Sequence, residues 1–147
     1  MVDPKRLPSR EFLKSDAQAL FRAHLPSLIR KSFALLYPGK EFQDNWHLDA
    51  MGYHLQQVSE GKIRRLMICL PPRSLKSLVT SVIWPLFIIG NDPSKTVLVV
   101  SHSLDLAIKL SNQFRQLMSH PEIQDIFPAF KGFIQKDSEQ EVLLSQG

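Results

Sequence analysis

Residues 64–77 read Arg64-Arg65-Leu66-Met67-Ile68-Cys69-Leu70-Pro71-Pro72-Arg73-Ser74-Leu75-Lys76-Ser77, and how they are read decides the fold. The apolar run over 66–70 suits a strand, the Pro-Pro pair demands a tight loop, and a helix is expected to open at Lys76 and Ser77. A loop that enters a helix leaves backbone N–H groups without intrahelical acceptors. With the positive end of the helix dipole, these donors form a site for phosphate oxygens. In nucleotide-binding loops of the pattern G-x-x-x-x-G-K-[ST], the lysine reaches the β- and γ-phosphates and the next hydroxyl helps to hold Mg²⁺. Lys76 and Ser77 stand in those two places, but Leu70 and Leu75 stand where the pattern has glycine. Glycine allows φ > 0 and close backbone approach, so leucine requires a different loop path or weakens the cradle. Leu75-Lys76-Ser77 taken alone reads more simply as the basic start of a helix after a Pro-Pro turn.

The sequence on either side supplies the expected frame. Residues 76–89 suit a buried helix, apolar on most sides, with Pro85 forcing a kink or a short break, and Gly90-Asn91-Asp92-Pro93 is a turn. Residues 96–101 form a second β-branched apolar run. Neither run alternates, which predicts strands buried on both faces of a parallel sheet, joined by a right-handed crossover. Ser103 is the expected cap of a helix to about Met118, with Ala107, Leu110, Phe114 and Leu117 as its core stripe.

Upstream, Ser9 is a candidate cap for a helix carrying Phe12, Leu13, Leu20 and Phe21. Pro26 opens a second helix with Ile29, Phe33 and Leu36, stopped by Tyr37-Pro38-Gly39. Asn45 is the expected cap of a third, ending near Ser59 and Gly61. Trp46 either offers an aromatic face for base stacking or joins Met51, Leu55 and Val58 in the core. After His120-Pro121 the pattern fades, Phe127-Pro128-Ala129-Phe130 indicates loop, and residues 141–145 could begin a third strand.

The chain has 147 residues, 44% hydrophobic and 22% charged, which suits one globular domain and excludes a disordered tail. Eighteen basic against 14 acidic residues give a formal +4, spread along the chain in pairs such as Lys5-Arg6, Arg30-Lys31 and Arg64-Arg65, which is weak support for DNA contact. The lone Cys69 is expected to be buried in its strand and cannot form an internal disulfide, which fits a reducing compartment. No secretory signal is evident, and the longest apolar stretch, 78–89, is too short to span a bilayer, so a soluble chain is expected. The histidines lack metal-ligand spacing: His47 and His54 are two turns apart and the others are isolated.

Several of these stretches together resemble the large terminase subunits of tailed bacteriophages. They are Trp46-His47-Leu48, residues 71–77, Trp84-Pro85, and the stretch from Val99 through Ser101-His102-Ser103 to Ala107, in that order and spacing. The family's Walker A variant carries Arg near its start and tolerates a non-glycine residue before the lysine, as Arg73 and Leu75 do here. The resemblance implies ATP and Mg²⁺ as cofactors, with Lys76 at the phosphates, Arg73 near the γ-phosphate, and Ser77 on Mg²⁺. The N–H groups of Leu75, Lys76 and Ser77 would form the cradle, and Trp46 and His47 would lie on the adenine side. It also implies that residues 101–107 help couple nucleotide state to DNA contact.

The implied fold is α/β: a P-loop NTPase-like parallel sheet with flanking helices, preceded by a helical N-terminal region. The implied division is 1–62 as that helical region and 63–147 as the first part of the ATPase core, truncated before the Walker B element. No apolar strand ending in Asp-Glu follows Ser77, so the carboxylates that hold the Mg²⁺ shell and position water are missing from the pattern. The implied function is the ATP-binding portion of a DNA-packaging terminase large subunit in the cytoplasm of a bacterial host. Its partners would be double-stranded DNA, the portal and the small terminase subunit, with self-association through an open sheet edge and no membrane. The alternatives are a catalytically silent, truncated prophage remnant and a small non-enzymatic DNA-binding module.

Overall fold

The structure, a computed structural model, describes residues 10–131. The described residues are helical, with no strand and no sheet among them. In chain order they form α1 (Arg10–Ala23), α2 (Leu25–Leu36), α3 (Trp46–Ser59) and α4 (Lys76–Leu78). A π-helical turn (Val79–Ile83) leads into α5 (Trp84–Asn91), followed by α6 (Leu104–Met118), α7 (Pro121–Ile126) and a 3₁₀ turn (Pro128–Phe130). This corrects the expected parallel-sheet P-loop α/β fold. The expected cap Ser9, the side chains of Phe12 and Leu13, and the candidate strand at 141–145 lie outside what is described.

The helices form for the reasons their sequences give. Leu25, Leu28, Ile29, Ser32, Phe33 and Leu36 recur at helical spacing and are all buried, so α2 turns a continuous stripe inward. Its N-cap is His24, whose side chain accepts the Ser27 N–H, with Pro26 in the first turn where a missing N–H costs nothing. Gly61, at φ +74°, follows the end of α3 in the left-handed conformation that stops helices. Ser103 Oγ accepts the Leu106 N–H at 3.4 Å and so caps α6, which buries Leu110, Leu117 and Met118. Beyond His120, where the sequence pattern fades, the chain forms α7, capped by the His120 side chain on the Glu122 N–H.

Residues 76–91 are one helical run, and the rest of the fold encloses it. Leu78, Val79, Val82, Ile83, Leu86 and Phe87 are all buried, against α2, α6 and the Phe127 and Phe130 rings. Pro85 lacks an N–H and its ring would collide with the carbonyl four residues back. The run widens to a π turn just before it, where the Trp84 N–H reaches the Val79 carbonyl. A continuous core joins residues from Leu25 to Phe130, so the N-terminal helices and the later ones share one interior.

The two expected strands are connectors without regular secondary structure. In 66–70, Ile68 and Leu70 rest on the core while Met67 is 87% exposed. In 96–101, Leu98 is 85% and Val100 83% exposed. Cys69, expected to be buried, is exposed. Pairing needs a neighbouring ladder, and two strands alone are marginal in water.

Ion pairs tie the periphery together: Lys14 to Asp125 at 2.7 Å, and Lys31 to Glu122. Gly90 marks the closest approach inside. A Cβ there would lie 2.5 Å from the ring of Phe127, which is itself 1% exposed. In an ordinary helix Gly→Ala stabilises by about 1 kcal/mol. Here the ring must move, so Gly90→Ala is expected to lose about 1–3 kcal/mol by overpacking. Urea unfolding would check the sign, and a stabilised variant would show that Phe127 does not lie against Gly90.

Candidate functional site

The turn over 70–77 has an unusual backbone. Arg73 (φ 66°) and Leu75 (φ 58°) are the positive-φ non-glycine residues among those described. Leu75 occupies the N-cap position of the helical run that starts at Lys76. The left-handed region costs a residue with a Cβ roughly 1–2 kcal/mol, and such strain persists only where surrounding packing imposes it. Leu75 therefore occupies a backbone region that glycine enters without strain. Leu70, the other residue at a glycine position, does not.

The side chains complete the turn. Lys76 Nζ donates to the Leu70 carbonyl at 3.2 Å, so the ammonium reaches back across the turn and closes it. Ser74 Oγ is buried without a hydrogen-bond partner. The Ser74 carbonyl lies 3.3 Å from His47 Nε2, which ties the turn to the start of α3. The leading amides of the run have no intrahelical acceptors, as at any helix start. Arg73 is exposed and carries no ion pair among the described residues.

Trp46, left between base platform and core by the sequence, is 78% exposed. Met51 and Leu55 take the core positions of α3, and Val58 is half-buried. Its indole packs edge-on to His47, with ring centroids 6.5 Å apart. The start of α3 is held in place by Arg30, which reaches Asp44 and Asp49, each at 2.8 Å. Hydrogen bonds from the Arg30 guanidinium are the main reason that the Asp44 carboxyl sits below the ordinary aspartate range. Asn45 occupies the cap position of α3 without a side-chain cap bond.

The structure thus joins His47 to residues 70–76 and leaves Trp46 open to solvent beside His47. At 101–103, Ser101 Oγ accepts the Ser103 N–H at 3.4 Å, and His102 is exposed. The contact between His47 and Ser74 and the buried Ser74 hydroxyl escaped sequence reasoning. They join positions 27 apart, and no local pattern links them.

Ser77 is exposed and offers one hydroxyl. No group of three or more His, Cys, Asp or Glu side chains among the described residues could hold a metal ion. Protein sites for Mg²⁺ use one or two carboxylates besides the substrate's phosphates, so these residues do not fit a resident Mg²⁺. No helix among the described residues is long and apolar enough to cross a membrane. Compared with family models, curated proteins and solved structures, the chain matches none.

Two outcomes test this geometry. At φ > 0 a Cβ is the penalty, so Leu75→Gly is expected to be more stable than Leu75→Ala by about 1 kcal/mol, the reverse of the usual order. Equal or inverted melting temperatures would remove the left-handed assignment. Asp44, depressed in the folded state, contributes stability above its unfolded pKa of about 3.9 and loses it as pH falls through the lower folded value. The Tm gap between the parent chain and Asp44→Asn should therefore be present at pH 7 and close in acid below that range. A gap independent of pH would contradict the Arg30 pairing.

Proposed function

We propose that residues 70–77 bind the phosphates of ATP, and that the chain is the ATP-binding portion of a terminase-like, DNA-packaging large subunit. One observation carries this reading: the left-handed Arg73 and Leu75 stand directly before a helix that opens with Lys76 and Ser77. The resemblance over 46–48, 71–77, 84–85 and 99–107 supports it further. The reading does not depend on a sheet, because the enclosed helical run supplies the support that a strand would otherwise give.

On binding, the Lys76 ammonium exchanges the Leu70 carbonyl for a phosphate oxygen, so a bond from a cation to a neutral acceptor gives way to one between opposite charges. Arg73, planar and without an ion pair among the described residues, can meet the terminal phosphate with two parallel N–H donors. The amides of Leu75, Lys76 and Ser77 hold the bridging region. Trp46 offers an exposed indole face to the base, with His47 linking that side to the turn. Any Mg²⁺ would be part of the nucleotide substrate, with no residue of the turn holding it beyond the single Ser77 hydroxyl. No carboxylate in the turn orients a water molecule, so the expected activity is binding without turnover. In the full DNA-packaging reaction, hydrolysis would drive double-stranded DNA into a capsid alongside portal and small-subunit partners.

The test is titration of a fluorescent ATP analogue with the parent chain, Lys76→Ala and Trp46→Ala, with phosphate release measured on the same samples. Binding weakened at least tenfold by Lys76→Ala and several-fold by Trp46→Ala, without release, is expected. A folded parent chain that binds nothing would make the turn a vestige and favour the silent-remnant reading. Salt-dependent DNA binding without nucleotide would favour a DNA-binding module instead.

A further inference from the structure

We infer that His47 latches a peptide with two positions: its ring fixes which way the plane between Ser74 and Leu75 turns, and with it the direction of the Leu75 N–H. A carbonyl only accepts, so the 3.3 Å contact between His47 Nε2 and the Ser74 oxygen requires the ring proton on Nε2. In a trans peptide the C=O and the following N–H point in opposite directions. Drawing the Ser74 oxygen to His47 therefore turns the Leu75 N–H away from the ring, and that N–H meets no acceptor among the described residues. The ring is delivered from a braced helix start, because Arg30 ties down Asp44 before it and Asp49 after it.

A latch is needed because the held orientation is the strained one. Leu75 has φ 58° and ψ 8°, and Ser74 before it is not in the positive-φ region. The third residue of a type II turn takes about +80° and 0°, a place that favours glycine. A type I turn differs chiefly by half a rotation of the central peptide plane and puts the same residue near about −90° and 0°, where any L-residue fits. Turning the Ser74–Leu75 plane over would thus release Leu75 while the helix after it stays put, its Leu75 carbonyl still bonded to the Val79 N–H at 2.9 Å. The Ser74 hydroxyl is buried without a partner, so the hydrogen bond that opposes release is the one from His47. A neutral hydrogen bond and the left-handed penalty are of the same order, which puts the two orientations close in free energy. The consequence for binding rests on the proposed phosphate site: the held plane presents an N–H at the head of the helix, whereas the turned plane presents the Ser74 oxygen there and repels a phosphate. His47 is thus a positioning residue for that site.

NMR of the unliganded chain tests the latch. With the plane held, Ser74 Hα lies close to the Leu75 amide proton and gives a strong NOE. With the plane turned, that NOE weakens and the amide protons of Ser74 and Leu75 approach each other instead. The parent and His47→Gln, whose side-chain N–H can reach the same oxygen, are expected to show the first pattern. His47→Phe, which keeps a ring but has no donor, is expected to show the second with unchanged helical circular dichroism. In the parent, the imidazole nitrogen shifts should place the proton of the neutral ring on Nε2, a readout that needs no variant. ATP should bind His47→Phe at least several-fold more weakly than His47→Gln, and bound ATP should restore the first pattern. A plane that stays held in folded His47→Phe, or a neutral ring with its proton on Nδ1, would overturn the latch. If the NOE patterns switch as expected but the parent chain binds no ATP, the latch stands and the phosphate reading falls.

Discussion

Enclosure of one helix governs this molecule. The run from residue 76 to 91 is apolar on nearly every side, and a helix of that kind must be surrounded. The stripe of α2, the inner face of α6 and the two phenylalanines after α7 supply the surroundings. Gly90 is where this fit is tightest, since only the missing side chain admits the Phe127 ring. The π turn before Pro85 belongs to the same constraint, keeping an interrupted hydrogen-bond ladder helical instead of broken.

That enclosure also explains how a strained turn survives at the head of the helix. Left-handed backbone at Arg73 and Leu75 costs on the order of 1–2 kcal/mol per residue. Burying Leu78, Val79, Val82, Ile83 and Leu86 returns about 1.5–3 kcal/mol for each side chain, so packing outweighs strain several-fold. The direction of the helix is thereby fixed by its core side. The turn adopts whatever conformation joins that helix to the connector before it, and His47 braces the result from α3. The strain lies beside the lysine and the uncapped amides, where anion binding is most plausible chemically.

Much of the helical content was legible, because its signals are local. Gly61 ending α3, Ser103 capping α6, Pro26 near the start of α2 and the Leu110 and Leu117 stripe follow from propensity and spacing alone. The sheet was misread because an apolar run does not specify a ladder partner, and neither 66–70 nor 96–101 pairs with a strand among the described residues. Phe127 and Phe130 were read as loop because prolines interrupt their period, yet their rings stack edge-on at 5.9 Å and close the core. Within the candidate site, Lys76, Ser77 and Arg73 could be found by position. The left-handed Leu75 and the contact between His47 and Ser74 depend on tertiary packing, which no short window contains.

The proposed function requires the amides at the head of the enclosed helix to form an anion site. The most direct measurement is an amide NMR titration of the uniformly labelled chain with ATP, compared with adenosine. The site requires that ATP shift the amides of Ser74, Leu75, Lys76 and Ser77 together and saturably, while adenosine perturbs the Trp46 indole without moving them. Amides at 74–77 that stay fixed through the ATP titration, or shift no more than those of α6 and α7, would contradict it.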